Sequence, residues 1–152
     1  MNPLQSLLLS FPPEAAHYVA MSALRAARWL PGSCCPLPGA SRQFLGKTLQ
    51  NPIGLAAGLD KNAEAVLGLA RCGFGFVEVG TVTPLAQPGN PQPRLFRLPE
   101  HQALINRMGF NNYGMQAMAR RLHQVRSSGR LDGTLLGVNL GKNKDTPNDE
   151  AA

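Results

Sequence analysis

Three short apolar runs, parted by helix-like stretches, constrain this chain more than any other feature. Pro52–Gly58, Phe74–Thr83 and Thr134–Leu140 read as strands, the second heavy in β-branched and aromatic residues. Residues 62–72, rich in Ala and Leu and closed by Gly73, read as a helix, and so do residues 113–125, with Asn111 or Asn112 as the N-cap. Strands joined through helices pair in parallel, because a parallel connection needs a crossover. The apolar strand centres fit burial on both faces. The expected class is therefore α/β with a parallel sheet.

Two further segments precede this body. Residues 3–9 and 14–30 read as short helices, broken at Ser10-Phe11-Pro12-Pro13. Tyr18, Met21, Leu24, Trp29 and Leu30 recur at mostly helical spacing, with Arg25 and Arg28 as the basic residues. The pattern fits best a helix packed on the body, with a helix pair lying on a membrane surface as the alternative. No apolar run approaches the roughly 20 residues of a spanning helix. Residues 31–47 are dense in Pro, Gly and Ser and read as a linker. The division is an extension over 1–30, a linker over 31–47 and a body over 48–152.

The long connection over 84–111 carries its own pattern. Arg94–Leu98 and Ala103–Arg107 flank a turn at Pro99-Glu100, which predicts a β-hairpin over the sheet, a natural wall for a pocket. Polar groups stand at the strand ends: Lys61 after the first, Thr81 and Thr83 in the second, Asn139 and Lys142 in the third. Ligands of α/β sheets bind at that edge. Gly54-Leu-Ala-Ala-Gly-Leu-Asp-Lys61 is the most informative stretch, since small residues admit close backbone approach and the lysine adds a fixed cation.

Other chemistries find little support. The net charge is +6, but the fifteen Lys and Arg are scattered, and the densest group, Arg120, Arg121, Arg126 and Arg130, suits a solvated helix face better than nucleic acid. Three cysteines, Cys34, Cys35 and Cys72, without a C-x-x-C pattern fit neither a disulfide framework nor zinc; they fit a reducing cytoplasm, with Cys72 expected in the core. No His/Cys/Asp/Glu cluster has metal-ligand spacing. Gly141-Lys142 lacks the phosphate-loop pattern, since position 136 is Leu and Asn143 follows the lysine.

The motifs taken together resemble one family. Asn51–Lys61, Gly73–Pro84, Gln87–Leu98, Ile105–Asn112 and Gly137–Lys144 occur in the order found in the N-terminal half of class 2, quinone-linked dihydroorotate dehydrogenases. Pro13-Glu-Ala-Ala-His17 resembles that class's helical extension. The resemblance implies a (β/α)8 TIM barrel in the full-length family, here an N-terminal partial barrel preceded by a small helical extension. It implies FMN as cofactor and oxidation of dihydroorotate to orotate for pyrimidine synthesis, with a membrane quinone as electron acceptor. It also implies a monomer held peripherally at the cytoplasmic face of the cell membrane.

Carried over position by position, the resemblance assigns Ala57, Gly58, Leu59, Asp60, Lys61, Thr81 and Asn139 to the flavin. Lys61, Asn106, Arg107, Met108, Gly109 and Phe110 fall to the substrate, and His17 and Arg97 face the quinone. The family's catalytic serine lies in a motif that does not occur here, and a complete barrel takes about 250 residues against 152 in this chain. The chain alone is expected to be an inactive fragment, with poor solubility or a molten state from its open half-sheet. The competing readings are a non-catalytic flavin- or orotate-binding module and a basic membrane-surface protein.

Overall fold

A computed structural model describes residues 3–30, 39–131 and 133–150. Two helices open the chain, α1 (Pro3–Ser10) and α2 (Pro13–Ala27), with Pro13 in the first turn of α2. A small antiparallel hairpin follows, β1 (Arg42–Phe44) with β2 (Lys47–Leu49). Its first strand lies inside the stretch expected to be linker; Gly46, at φ +70°, makes its turn. Cys34 and Cys35 lie outside the described residues.

The central sheet has three parallel strands in the order β3 (Gly54–Leu55), β4 (Phe76–Val82), β7 (Leu135–Leu140). Helix α3 (Val66–Ala70) joins β3 to β4. The hairpin β5 (Leu95–Leu98) with β6 (Ala103–Asn106) and then helix α4 (Gly114–Ser127) connect β4 to β7. The parallel sheet and the second hairpin are those expected. Two elements are shorter than expected, for local reasons. The first strand covers only Gly54–Leu55. The helix expected over 62–72 is only Val66–Ala70, because Ala63 sits at φ +55° and residues 62–65 are held in turns by the Asp60 carboxylate. That helix also ends before Cys72, so the thiol expected in the core is exposed. The α4 cap differs too. Tyr113 occupies the N-cap position, and Asn112 serves from one place earlier by accepting from Gly114 N at 2.8 Å.

The core lies between the sheet and the helices. Val77 and Val79 of β4 are fully buried and pack with Met21 of α2, Val66 and Leu69 of α3, and Met118 and Val125 of α4. Each such buried side chain contributes roughly 1.5–3 kcal/mol. The opposite face of the sheet carries Phe76, Glu78 and Thr81, all half-buried, and among the described residues no helix covers it.

Glycine fixes the approach of α2. A Cβ on Gly68 would collide with the Leu24 carbonyl oxygen of α2. The collision is with backbone, so relief requires α2 to move. Gly68→Ala is expected to cost about 1–3 kcal/mol and to raise protease cleavage within α2. Limited proteolysis compared with the parent chain checks this.

Candidate functional site

The segment 57–61 is fixed by backbone bonds at the C-terminal edge of the sheet. Gly58 N donates to Gly80 O at 2.9 Å, and Gly80 N donates to Asp60 O at 3.0 Å. Asp60 is buried, and its carboxylate accepts from Glu64 N and Ala65 N, each at 2.8 Å. Its side chain thus holds the turn, leaving its neighbours to face a ligand. Gly58, at φ +117°, has open space where a Cβ would stand.

Two cavities meet at Lys61. One, of about 490 Å³, is lined by Ala57, Gly58, Lys61 and Thr81 on the sheet side and by Asn90 and residues 106–110 on the other. It brings together most of the positions assigned to flavin and substrate. The other, of about 380 Å³, opens toward the extension and is lined by His17, Tyr18 and Met21 of α2 with Leu59, Lys61 and Asn111 among others. Lys61 Nζ lies 3.5 Å from the Met108 sulfur. Burial, and secondarily the Arg94 guanidinium, pull its pKa below the ordinary lysine value.

The inner sheet face supplies a polar relay that the motif reading passed over. Thr81 Oγ1 donates to Asn139 Oδ1 at 2.6 Å, and Asn139 Nδ2 donates to Glu78 Oε1 at 3.3 Å. Glu78 Oε2 accepts from Ala57 N at 3.4 Å. Glu78 therefore ties all three strands together beneath the site. A lone carboxylate inside the apolar run Phe76–Val82 was its signal.

The substrate-side segment is equally tied down. Met108 N donates to Asn106 Oδ1 at 3.1 Å, and Asn90 Nδ2 donates to Arg107 O at 2.8 Å. Asn112, Thr83, Asn143 and Gln87 form one network under the loop after β4. The Asn111 Oδ1 atom is buried without a hydrogen-bond partner among the described residues. An acceptor left in that state costs about 1–3 kcal/mol, so the site calls for a donor from elsewhere. Asn111 lines the extension-side cavity; in the sheet-edge cavity, the open face at Gly58 and the cation of Lys61 fit a flat, polar-edged ring such as a flavin. The described lining of the sheet-edge cavity offers only Lys61 and Arg107 as cations for a phosphate.

The two positions assigned to the quinone are not equivalent. His17 lines the extension-side cavity. Arg97 does not; its guanidinium donates to the carbonyls of Leu9 and Phe11 at 3.0 and 2.6 Å, closing the C-terminal end of α1.

His17 also makes the docked extension pH-sensitive. Burial lowers its pKa below 6.5, and the Lys61 charge lowers it further against Glu14, Asp60 and Glu64. The folded value lies below the unfolded one, so this contribution is complete above about pH 6.5 and is lost as pH falls through it. Thermal stability should therefore fall on acidification in that window. His17→Gln should flatten the dependence there.

A parallel α/β sheet with small residues and a fixed lysine at its strand ends is the class of a cofactor-dependent enzyme site. The dihydroorotate dehydrogenase family model matches residues 40–152, and the chain belongs to that family. It is 51% identical to the dihydroorotate dehydrogenase (quinone) of Marinobacter nauticus over 97% of this chain and 43% of the relative. It is 52% identical to the Methylococcus capsulatus protein of the same name, over 99% of this chain and 44% of that one. A crystal structure of DHODH from Eimeria tenella in complex with ferulenol superposes with a TM-score of 0.79 at 48% identity. That match covers 91% of this chain and 39% of the other. The chain thus spans less than half the length of the relatives it matches.

Proposed function

We propose that this chain forms the first part of a (β/α)8 barrel that oxidises dihydroorotate to orotate and passes the electrons to a membrane quinone. The observation that carries this is the placement of Lys61 between two cavities, one at the sheet edge and one lined by the extension. A dehydrogenase that moves electrons from a substrate to a lipid-soluble acceptor needs two such openings on one cofactor.

Ala57, Gly58 and Leu59 would hold the flavin against the backbone, with Asp60 fixing the turn and Thr81 and Asn139 at its polar edge. FMN, when bound, supplies the two-electron step that takes a hydride and hands electrons on. Lys61 would stabilise negative charge that develops there and attract the substrate carboxylate. Asn106 to Phe110, held by Asn90, would orient the substrate. His17 is the extension residue best placed to line the quinone path.

No described helix is long and apolar enough to cross a membrane. Leu7, Leu9, Phe11, Tyr18, Val19, Trp29 and Leu30 are all exposed on or beside α1 and α2, which supports peripheral membrane attachment through the extension; the cytoplasmic face is the side that the family resemblance implies. A monomer suits this attachment.

The test is a hybrid in which this chain replaces the matching segment of the Marinobacter nauticus relative. The hybrid should be yellow and reduce quinone with dihydroorotate. Lys61→Ala in it should lower turnover roughly a hundredfold to a thousandfold. A hybrid that folds and holds flavin yet gives no dihydroorotate-dependent reduction would overturn the assignment.

A further inference from the structure

The cluster of arginines has no part in the site above. A cavity of about 370 Å³ lies between the last turns of α2 and α4, on the helix side of the molecule. Four arginines line it: Arg25 and Arg28 from α2, Arg121 from α4 and Arg130 just beyond it. Its only lining carboxylate, Glu64, pairs with Arg121 at 3.4 Å. No described carboxylate lies within ion-pair distance of Arg25, Arg28 or Arg130.

The bland account is that these cations offset the negative ends of the two helices, and Arg130 does donate to the Arg28 carbonyl. That account falls short in magnitude. Each helix end is worth about half a negative charge. After both ends and Glu64 are counted, a surplus of roughly two positive charges remains. One or two phosphodiester groups, each singly negative, would offset it.

The rim says where such an anion comes from. Trp29 is 71% and Leu30 61% exposed at the mouth of the cavity, and the Arg28 guanidinium lies 4.6 Å from the Trp29 ring centre. Exposed residues Tyr18, Val19, Ser22, Ala23 and Ala26 form one uncharged, largely apolar stripe along α2, which Trp29 and Leu30 continue just past its end. Tryptophan beside arginine at the end of an apolar stripe is the chemistry of a membrane–water interface, where lipid phosphates lie.

We propose that this cavity takes the phosphate of an anionic phospholipid headgroup, with Arg25, Arg28 and Arg130 as its ligands. The proposal rests on the peripheral attachment argued above and adds lipid selectivity to it. Trp29 is the sole tryptophan of the chain and reports on the locus directly.

The test follows Trp29 emission of the 152-residue chain as vesicles are added, either pure phosphatidylcholine or a mixture with phosphatidylglycerol. The blue shift should appear at roughly tenfold lower lipid with the anionic mixture. Arg25→Gln/Arg28→Gln/Arg130→Gln should lose that advantage and keep the response to neutral vesicles. A control that removes equal charge elsewhere, Arg42→Gln/Lys47→Gln/Lys144→Gln, should keep the advantage. Arg28→Gln alone, which removes one of the three ligands together with its contact with Trp29, should lose about fivefold and guards against a triple variant that misfolds. Equal loss in both triple variants, or retention in the cavity variant, overturns the site. Glycerol phosphate in solution binding as tightly as the vesicles reassigns it to a soluble anion and overturns the lipid proposal. No Trp29 response to either vesicle refutes the membrane attachment itself, a result distinct from loss of selectivity alone.

Discussion

The 152-residue chain by itself is expected to show no dihydroorotate-dependent quinone reduction, even with excess FMN. Removing a proton from a carbon acid needs a positioned base. The described lining of the sheet-edge cavity holds no carboxylate, histidine or serine, and Lys61 is a cation there. The resemblance places the serine base outside the motifs present. The cofactor is also under-held, since the described cavity lining offers its phosphate only Lys61 and Arg107 as cations. Stopped-flow or steady-state assay with dihydroorotate, FMN and a soluble quinone checks the expectation; turnover above the FMN-only background contradicts it. The same openness predicts a physical signature. Both outer strands of the central sheet, β3 and β7, lack a further described partner, and Leu140 is 77% exposed. The chain should bind a hydrophobic dye and unfold over a broad temperature range. A sharp calorimetric transition would show that the helix-side core alone suffices.

What the sequence disclosed follows from the range of the interactions involved. β4 was legible because its burial on the helix side demands an apolar, β-branched run, and β7 because it is largely apolar along its length, although none of its residues is buried. The hairpin Leu95–Asn106 was legible because its turn residues lie within the segment itself. β3 and α3 were overestimated, because apolar Ala- and Leu-rich stretches say nothing of Ala63 at positive φ or of the Asp60 carboxylate that holds the next four residues in turns. Cys72 was misplaced for the same reason. The hairpin Arg42–Leu49 has three-residue strands, too short to carry a period. At the site, segment 57–61 and the strand-end groups were readable as local motifs. The relay Thr81–Asn139–Glu78 was not, since its members are brought together only when the strands pair in register, Glu78 beside Gly137. Arg97 illustrates the converse. A motif position gave it a ligand-facing role, and the fold directs it to the carbonyls that end α1.

Breaking the ion pair between Arg94 and Glu14 should undock the extension and loosen the substrate segment together. The two residues stand 80 positions apart and meet at 2.6 Å, with side chains only 7% and 15% exposed. Arg94 Nε donates to both Glu14 oxygens as well, at 3.2 and 3.3 Å. Its remaining nitrogen, Nη1, donates to Pro88 O at 2.7 Å and Asn90 O at 3.0 Å. Asn90 in turn holds residues 107 and 108 through its side chain and its backbone N–H. One guanidinium thus joins the N-terminal turn of α2 to the wall of the sheet-edge cavity. The charge of Glu14 also favours the helix end that it occupies. Arg94→Ala would strand a desolvated carboxylate and free two carbonyls. The expected cost is about 2–4 kcal/mol, somewhat below that of a wholly enclosed pair because cavities flank it. Arg94→Lys should recover little, since a single ammonium cannot serve a carboxylate and two carbonyls in fork geometry. Glu14→Gln should cost less, about 1–2 kcal/mol, because the amide still accepts one bond. The pair holds the Glu14 pKa below 4.5 through its hydrogen bond to Arg94. Its stabilisation is therefore complete above that pH and is lost as pH falls through the lowered value. Hydrogen exchange on the parent chain and the three variants distinguishes the coupled reading from a local one. Faster exchange in α2 and in residues 106–109 together is the expected result, and faster exchange in α2 alone would show that Arg94 anchors the extension without reaching the cavity.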